Sequence, residues 1–142
     1  MKHLILIRHG QSEWNQQKRF TGWVDVGLTD KGRAEAKKAG ELIKEKKIKL
    51  DSFYSSYQKR ANDTLKIVMK ELNEDENLIT KKWQLNERHY GELTGLNKED
   101  MKKKYGEEKI HQFRRSWDVK PGALDRKSPV SYTHLRAHET VG

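Results

Sequence analysis

The chain has no cysteine in its 142 residues, which excludes disulfide staples and thiolate metal centres. Long apolar runs are missing too. Leu4 to Ile7 is too short for a signal-peptide core or a membrane span, so a cytoplasmic protein with no membrane partner is expected. Internal repeats and low-complexity linkers are also absent, and the length suits one domain. Lys and Arg number 30 against 21 Asp and Glu, a formal charge of +9. The bases are spread over prospective helix faces rather than gathered in a block. A small anionic substrate explains such an excess as well as a nucleic acid does, and no nucleic-acid partner is expected.

The residues that carry chemistry begin at LILIRHGQSEWN, Leu4 to Asn15. Met1 to Ile7 reads as a buried parallel strand ending in a glycine turn. That places His9 at a strand's carboxyl end, where open α/β sheets bind ligands. Neutral imidazole is a good nucleophile towards phosphorus, and the adjacent Arg8 offers a planar fork of donors for phosphate oxygens. A fixed positive charge nearby also disfavours the imidazolium. Gly10 lets the backbone approach a phosphate closely. A lone histidine in such a place would be read as a loop anchor. The Arg-His-Gly triplet after an apolar run favours a phosphoryl-accepting histidine.

Strand and helix signals then alternate, predicting an α/β three-layer sandwich with a mostly parallel central sheet. Thr29 is placed to cap a helix in which Ala36, Ala39 and Ile43 share one face while Lys37, Lys38, Lys44 and Glu45 look outward. Leu50 to Ser55 and Leu78 to Lys81 read as strands. Between them, Ala61, Leu65, Val68 and Leu72 recur at helical spacing as a buried stripe. Asn97 to Tyr105 and Lys109 to Trp117 read as polar helices with few core residues. Arg60 opens the helix after the second strand, where its fork and the helix N-terminus can face a phosphate; a solvated helix arginine is the competing reading.

Five blocks in order resemble the cofactor-dependent phosphoglycerate mutases of the histidine phosphatase superfamily: LIRHGQSEWN, FTGWVDVGLTDKG, SSYQKRANDTL, WQLNERHYGELTGLNK and RRSWDVKPGALD. The resemblance implies interconversion of 3- and 2-phosphoglycerate in glycolysis and gluconeogenesis. His9 would carry the phosphoryl group, primed by 2,3-bisphosphoglycerate, with no metal. Arg8 and Arg60 would grip the moving phosphate, and Glu87 would exchange protons with the substrate hydroxyl. Asn15, Thr21, Gly22, Tyr90, Lys98, Arg114 and Arg115 would bind the phosphoglycerate together with Arg60 and Glu87. Without the resemblance, Arg114 and Arg115 read equally well as a solvated basic face, because neighbours on a helix point apart. His3, His89 and His111 fit surface or packing roles.

The resemblance runs from Lys2 to about Lys127. Residues 1–128 therefore read as the N-terminal part of a mutase domain whose C-terminal strands and second site histidine are missing. Pro129 to Thr140, PVSYTHLRAHET, looks like the translation of a transposase sequencing adapter, so residues 129–142 are expected to be a disordered non-native tail in which His134 and His138 carry no metal. Uncovered apolar faces at Leu4 to Ile7 and around Leu65 are expected, with poor solubility and little mutase activity of this chain. The full-length relative is expected to be a homo-oligomer. Gly122 stands where the family usually has proline, which should loosen the turn after Val119. A bisphosphoglycerate phosphatase or synthase of the same superfamily, and a non-enzymatic basic anion-binding fragment, are the alternatives.

Overall fold

The computed structural model describes residues 1–131; the remainder of the expected tail, 132–142, lies outside the described residues. The elements in chain order are α1 (Glu13–Gln16), α2 (Asp30–Glu45), β1 (Phe53–Ser55), α3 (Lys59–Glu71), β2 (Ile79–Lys81), α4 (Lys98–Tyr105) and α5 (Glu107–Arg115), with single 3-10 turns at Glu76–Leu78, Trp83–Leu85 and Gly91–Leu93. No described helix is long and apolar enough to cross a membrane.

β1 and β2 pair in parallel, with Phe53 opposite Ile79 and Ser55 opposite Lys81. Parallel pairing requires a crossover, which α3 provides. The expected α/β architecture with a parallel sheet is therefore present, built on a β1-α3-β2 unit. Helix α2 packs along α3. Their close approach depends on Gly40, where a Cβ would fall 2.8 Å from the Glu71 side chain. Thr29 caps α2 as expected, accepting from the Gly32 amide, and Ala36 and Ile43 are buried.

Met1 to Ile7 corrects the expectation of a buried strand. It has no ladder, and Leu4 and Leu6 are 83% and 84% exposed. An extended segment becomes a strand only when a neighbour satisfies its amides and carbonyls, and no described strand pairs with this one. The uncovered apolar surface expected at Leu4 to Ile7 is thus present, with Tyr54 exposed as well, but the one expected around Leu65 is not: Leu65 is half-buried and Val68 and Met69 are buried.

Helix α3 also differs from its expected stripe. Val68 is buried, but Ala61, Leu65 and Leu72 are only half-buried, while Arg60, Asn62 and Thr64 are buried. The polar residues go inside because each has a partner there. Asn62 donates to the Ser56 and Gln58 carbonyls, and Thr64 to the Arg60 carbonyl.

Helix α5 carries more core than its polar sequence suggests, whereas α4 has few core residues as expected, none of them fully buried. Ile110 and Phe113, one turn apart on α5, are buried against Phe20, Tyr90 and Leu93, with Met101, Tyr105 and Val119 at the margin. Gly122 is tied to the 3-10 turn at Gly91–Leu93. Its carbonyl accepts from the Glu92 amide at 2.8 Å, and a Cβ at Gly122 would meet the Glu92 carboxylate.

Candidate active site

The loop carrying His9 is positioned from two sides. The Gly10 amide donates to Thr64 Oγ1 of α3 at 3.1 Å. Gly10 also lies against the first turn of α2, so that a Cβ on it would sit 2.2 Å from the Gly32 carbonyl oxygen. Only glycine fits there. The His9 Nδ1 lies 2.7 Å from the Gly10 carbonyl oxygen. A carbonyl can only accept, so Nδ1 carries the proton and the neutral ring keeps its lone pair on Nε2. Burial depresses the His9 pKa below the ordinary 6.5, more than the Gly10 bond raises it, and the nearby Arg60 and Arg8 charges lower it further against the opposing pull of Glu87.

Arg60, on the first turn of α3, is completely buried. Its Nη1 donates to the Val24 carbonyl at 2.9 Å, and its Nη2 to the Gly22 carbonyl at 2.6 Å and to Glu87 Oε2 at 2.7 Å. The solvated-arginine reading is thereby set aside. Much of the fork that the sequence assigned to a phosphate instead ties three chain segments together, while the buried Nε has no partner among the described residues. Gly22 accepts two of these interactions, one from Arg60 and one from Gln58. It has a positive φ of 58°, and an added Cβ would crowd the Arg88 carbonyl oxygen at 3.1 Å.

Glu87 stays reachable, its side chain 36% exposed. Its charge is felt by His9, Tyr90 and Lys98, which places these four groups in one electrostatic neighbourhood. Tyr90 is buried, which raises its pKa above the ordinary 10.0, Glu87 adding to this and Arg114 opposing it. Lys98, at the start of α4, is shifted below the ordinary 10.5, by burial first and then by Arg114, with smaller contributions of the same sign from Arg8 and Arg115. The sequence candidates at 8, 9, 60, 87, 90, 98, 114 and 115 therefore converge. Arg114 and Arg115 differ as adjacent helical residues must: Arg114 is half-buried and interacts with Tyr90, while Arg115 is exposed.

Asn15 and Thr21 have structural partners. The Asn15 side chain accepts from the Ser12 amide while Ser12 Oγ accepts from the Asn15 amide, a reciprocal box starting α1. Thr21 is buried beside Phe20.

Sequence reasoning passed over four residues that build this site. Thr64 holds Gly10. Gln58 and Trp23 both hydrogen-bond the Glu87 backbone. Arg88 donates to the Phe113 and Ser116 carbonyls at 3.0 and 2.8 Å, fastening the end of α5 that bears Arg114. Only Arg88 had a local signal, a cation next to Glu87; its target is 25 residues further along the chain.

Comparison with known proteins supplies the context. The chain is 60% identical over 141 residues to the 2,3-bisphosphoglycerate-dependent phosphoglycerate mutase of Pelagibacter ubique, covering 99% of this chain and 59% of the relative. It is 52% identical to phosphoglycerate mutase 1 of Lactobacillus johnsonii, covering 99% of this chain and 61% of that one. The chain thus spans about three-fifths of the length of these relatives. Among solved structures, Bacillus stearothermophilus YhfR superposes with a TM-score of 0.66 at 27% identity, covering 94% of this chain and 64% of that chain. A mycobacterial hydrolase superposes with a TM-score of 0.68 at 23% identity, over 83% of this chain and 53% of its own, and supports the fold alone. The family model for branch 1 of the histidine phosphatase superfamily matches residues 4–140, and with His9, Arg60 and Glu87 gathered in one site the chain belongs to that superfamily.

Proposed function

We propose that this chain carries the phosphoryl-transfer half-site of a 2,3-bisphosphoglycerate-dependent phosphoglycerate mutase, acting in the cytoplasm on 3- and 2-phosphoglycerate. One observation carries the reading: the His9 Nδ1 lies 2.7 Å from the Gly10 carbonyl oxygen, an arrangement that leaves Nε2 to act as the nucleophile, within the electrostatic reach of Glu87, which is itself paired to buried Arg60. The names of the relatives at 60% and 52% identity support the choice of reaction.

In this mechanism the Nε2 lone pair attacks phosphorus as the bond to the leaving oxygen breaks, and the protonated Glu87 carboxyl gives that oxygen its proton. In the return step the Glu87 carboxylate takes the proton of the accepting hydroxyl as its oxygen attacks the phosphohistidine, and Nε2 leaves as the neutral ring. Arg8, with the remaining donor capacity of Arg60, stabilises charge on the transferring group. Lys98, Arg114 and Arg115 hold the anionic ends of the substrate, and Tyr90, Asn15 and the Thr21-Gly22 loop supply polar contacts. Bound 2,3-bisphosphoglycerate supplies the priming phosphoryl group. The donor set fits such an anion, with clustered cations around one half-buried histidine and a buried Arg114 Nε that has no partner among the described residues.

The test is to supply 3-phosphoglycerate with catalytic 2,3-bisphosphoglycerate and to follow both 2-phosphoglycerate and inorganic phosphate. Isomerisation exceeding hydrolysis supports a mutase. Hydrolysis of the bisphosphate in excess supports a phosphatase using the same histidine. Salt-sensitive anion binding that survives His9→Ala, with neither product formed, supports a non-enzymatic fragment.

A further inference from the structure

Glu87 sits in a stretch without regular structure, following the 3-10 turn Trp83–Leu85. A carboxylate on such a stretch needs its backbone held if it is to meet a proton in a fixed place. Both backbone polar atoms of Glu87 are taken by side chains rather than by a helix or ladder. The Glu87 amide donates to Gln58 Oε1 at 3.2 Å, and the Glu87 carbonyl accepts from Trp23 Nε1 at 2.6 Å. Gln58 is itself buried, and its Nε2 donates at 2.8 Å to the Gly22 carbonyl, the same oxygen that Arg60 grips. The preceding residue is tied as well, with Asn86 Oδ1 accepting from the Tyr57 amide at 3.0 Å.

We infer that Gln58 and Trp23 are positioning residues that clamp the Glu87 backbone, so that its carboxyl is fixed relative to His9 and the Gly22 loop. The proposal rests on Glu87 being the proton-exchanging group. Gln58 is the more informative of the two, because one buried amide side chain joins the loop of the acid to the loop beside Arg60. A buried glutamine in the turn before α3 is costly unless both its ends are bonded, and here both are. Arg60 alone fixes one carboxylate oxygen at the end of a flexible side chain. Only the backbone contacts fix where that side chain starts.

The test uses Gln58→Met, which keeps length and bulk but loses both hydrogen bonds, and Trp23→Phe, which removes the indole donor together with part of the ring that meets His89 edge-on. Two substrates are compared. Transfer from an alkyl phosphate, 2,3-bisphosphoglycerate, needs a proton on its leaving oxygen, whereas p-nitrophenyl phosphate releases a stabilised phenolate and does not. The inference expects each variant to lower the ratio of alkyl to aryl phosphate rates by about ten-fold or more, the scale of a small misplacement of a catalytic group. Equal losses on both substrates would mean a merely structural role and would overturn it. A readout independent of turnover is hydrogen exchange at the Glu87 amide, expected to be slow in the parent chain and fast in Gln58→Met while the Val68 amide keeps its protection. An unprotected Glu87 amide in the parent chain would likewise overturn the clamp. Absence of any phosphohistidine in the parent chain would instead defeat the assigned reaction, leaving the clamp to be judged on the exchange data.

Discussion

Arg60 Nη2 and Glu87 Oε2 lie 2.7 Å apart, joining the first turn of α3 to a loop 27 residues later, and the arginine side of this pair is completely buried. Arg60 also satisfies the Gly22 and Val24 carbonyls. One side chain therefore serves both stability and the alignment of a proposed catalytic carboxylate.

Removing it should cost accordingly. Arg60→Ala takes one of two donors from each of the Gly22 and Val24 carbonyls, which keep the Gln58 side chain and the Val26 amide, strips the Glu87 carboxylate of its guanidinium partner and empties a fully buried site, and the loss should reach about 3 kcal/mol. Arg60→Lys should recover only part, since an ammonium cannot span three acceptors with the geometry of the fork. Urea midpoints of the two variants against the parent measure this.

The depressed pKa of His9 sets a pH dependence of defined sign. In the unfolded chain the imidazole binds a proton near 6.5, and in the folded chain only at lower pH. Between these values the unfolded state holds more protons, so stability falls as pH drops below about 6.5 and is unaffected by this group above it. Phosphorylation of His9, which needs the neutral ring, should keep its rate on acidification past 6.5 before declining. A ring-proton titration by NMR with His9→Ala as the assignment control gives the folded pKa directly.

Gly10 tests the packing of the nucleophile loop. A Cβ there would meet the Gly32 carbonyl oxygen at 2.2 Å, and backbone cannot yield as a flexible side chain does. Gly10→Ala should destabilise the chain by about 3 kcal/mol or displace the His9 loop from α2. A lowered melting temperature together with a changed His9 ring-proton shift would register the effect; a variant identical to the parent in both would refute the close contact.

What the sequence made legible follows the range of the interactions involved. The Thr29 cap, α2, the β1 and β2 segments and α3 are encoded by local spacing, and all form. Met1 to Ile7 is as apolar as a strand should be, but pairing is a property of its neighbours. His9, Arg60 and Glu87, which the fold brings into one neighbourhood, stood out as candidates through the RHG triplet and the ordered blocks. Gln58, Trp23 and Thr64 were not, because each acts through a single hydrogen bond or pair of bonds to backbone far away in sequence. Polar residues on α3 look solvent-directed until their partners are known, and Arg60, Asn62 and Thr64 are all buried.

The exposed Leu4 and Leu6 lead us to predict concentration-dependent self-association. Replacing both by lysine should reduce concentration-dependent light scattering markedly without moving the His9 ring-proton titration by more than a few tenths of a unit, since neither residue touches the β1-α3-β2 unit by any ladder.

The central claim is that His9 is a phosphoryl acceptor. Exposure of the chain to radiolabelled 2,3-bisphosphoglycerate, followed by mapping of the protein-bound label, tests it most directly. The account predicts an acid-labile, base-stable phosphoryl group on the peptide containing His9, absent from His9→Ala. Label on another residue, or none while the chain is folded, would contradict it.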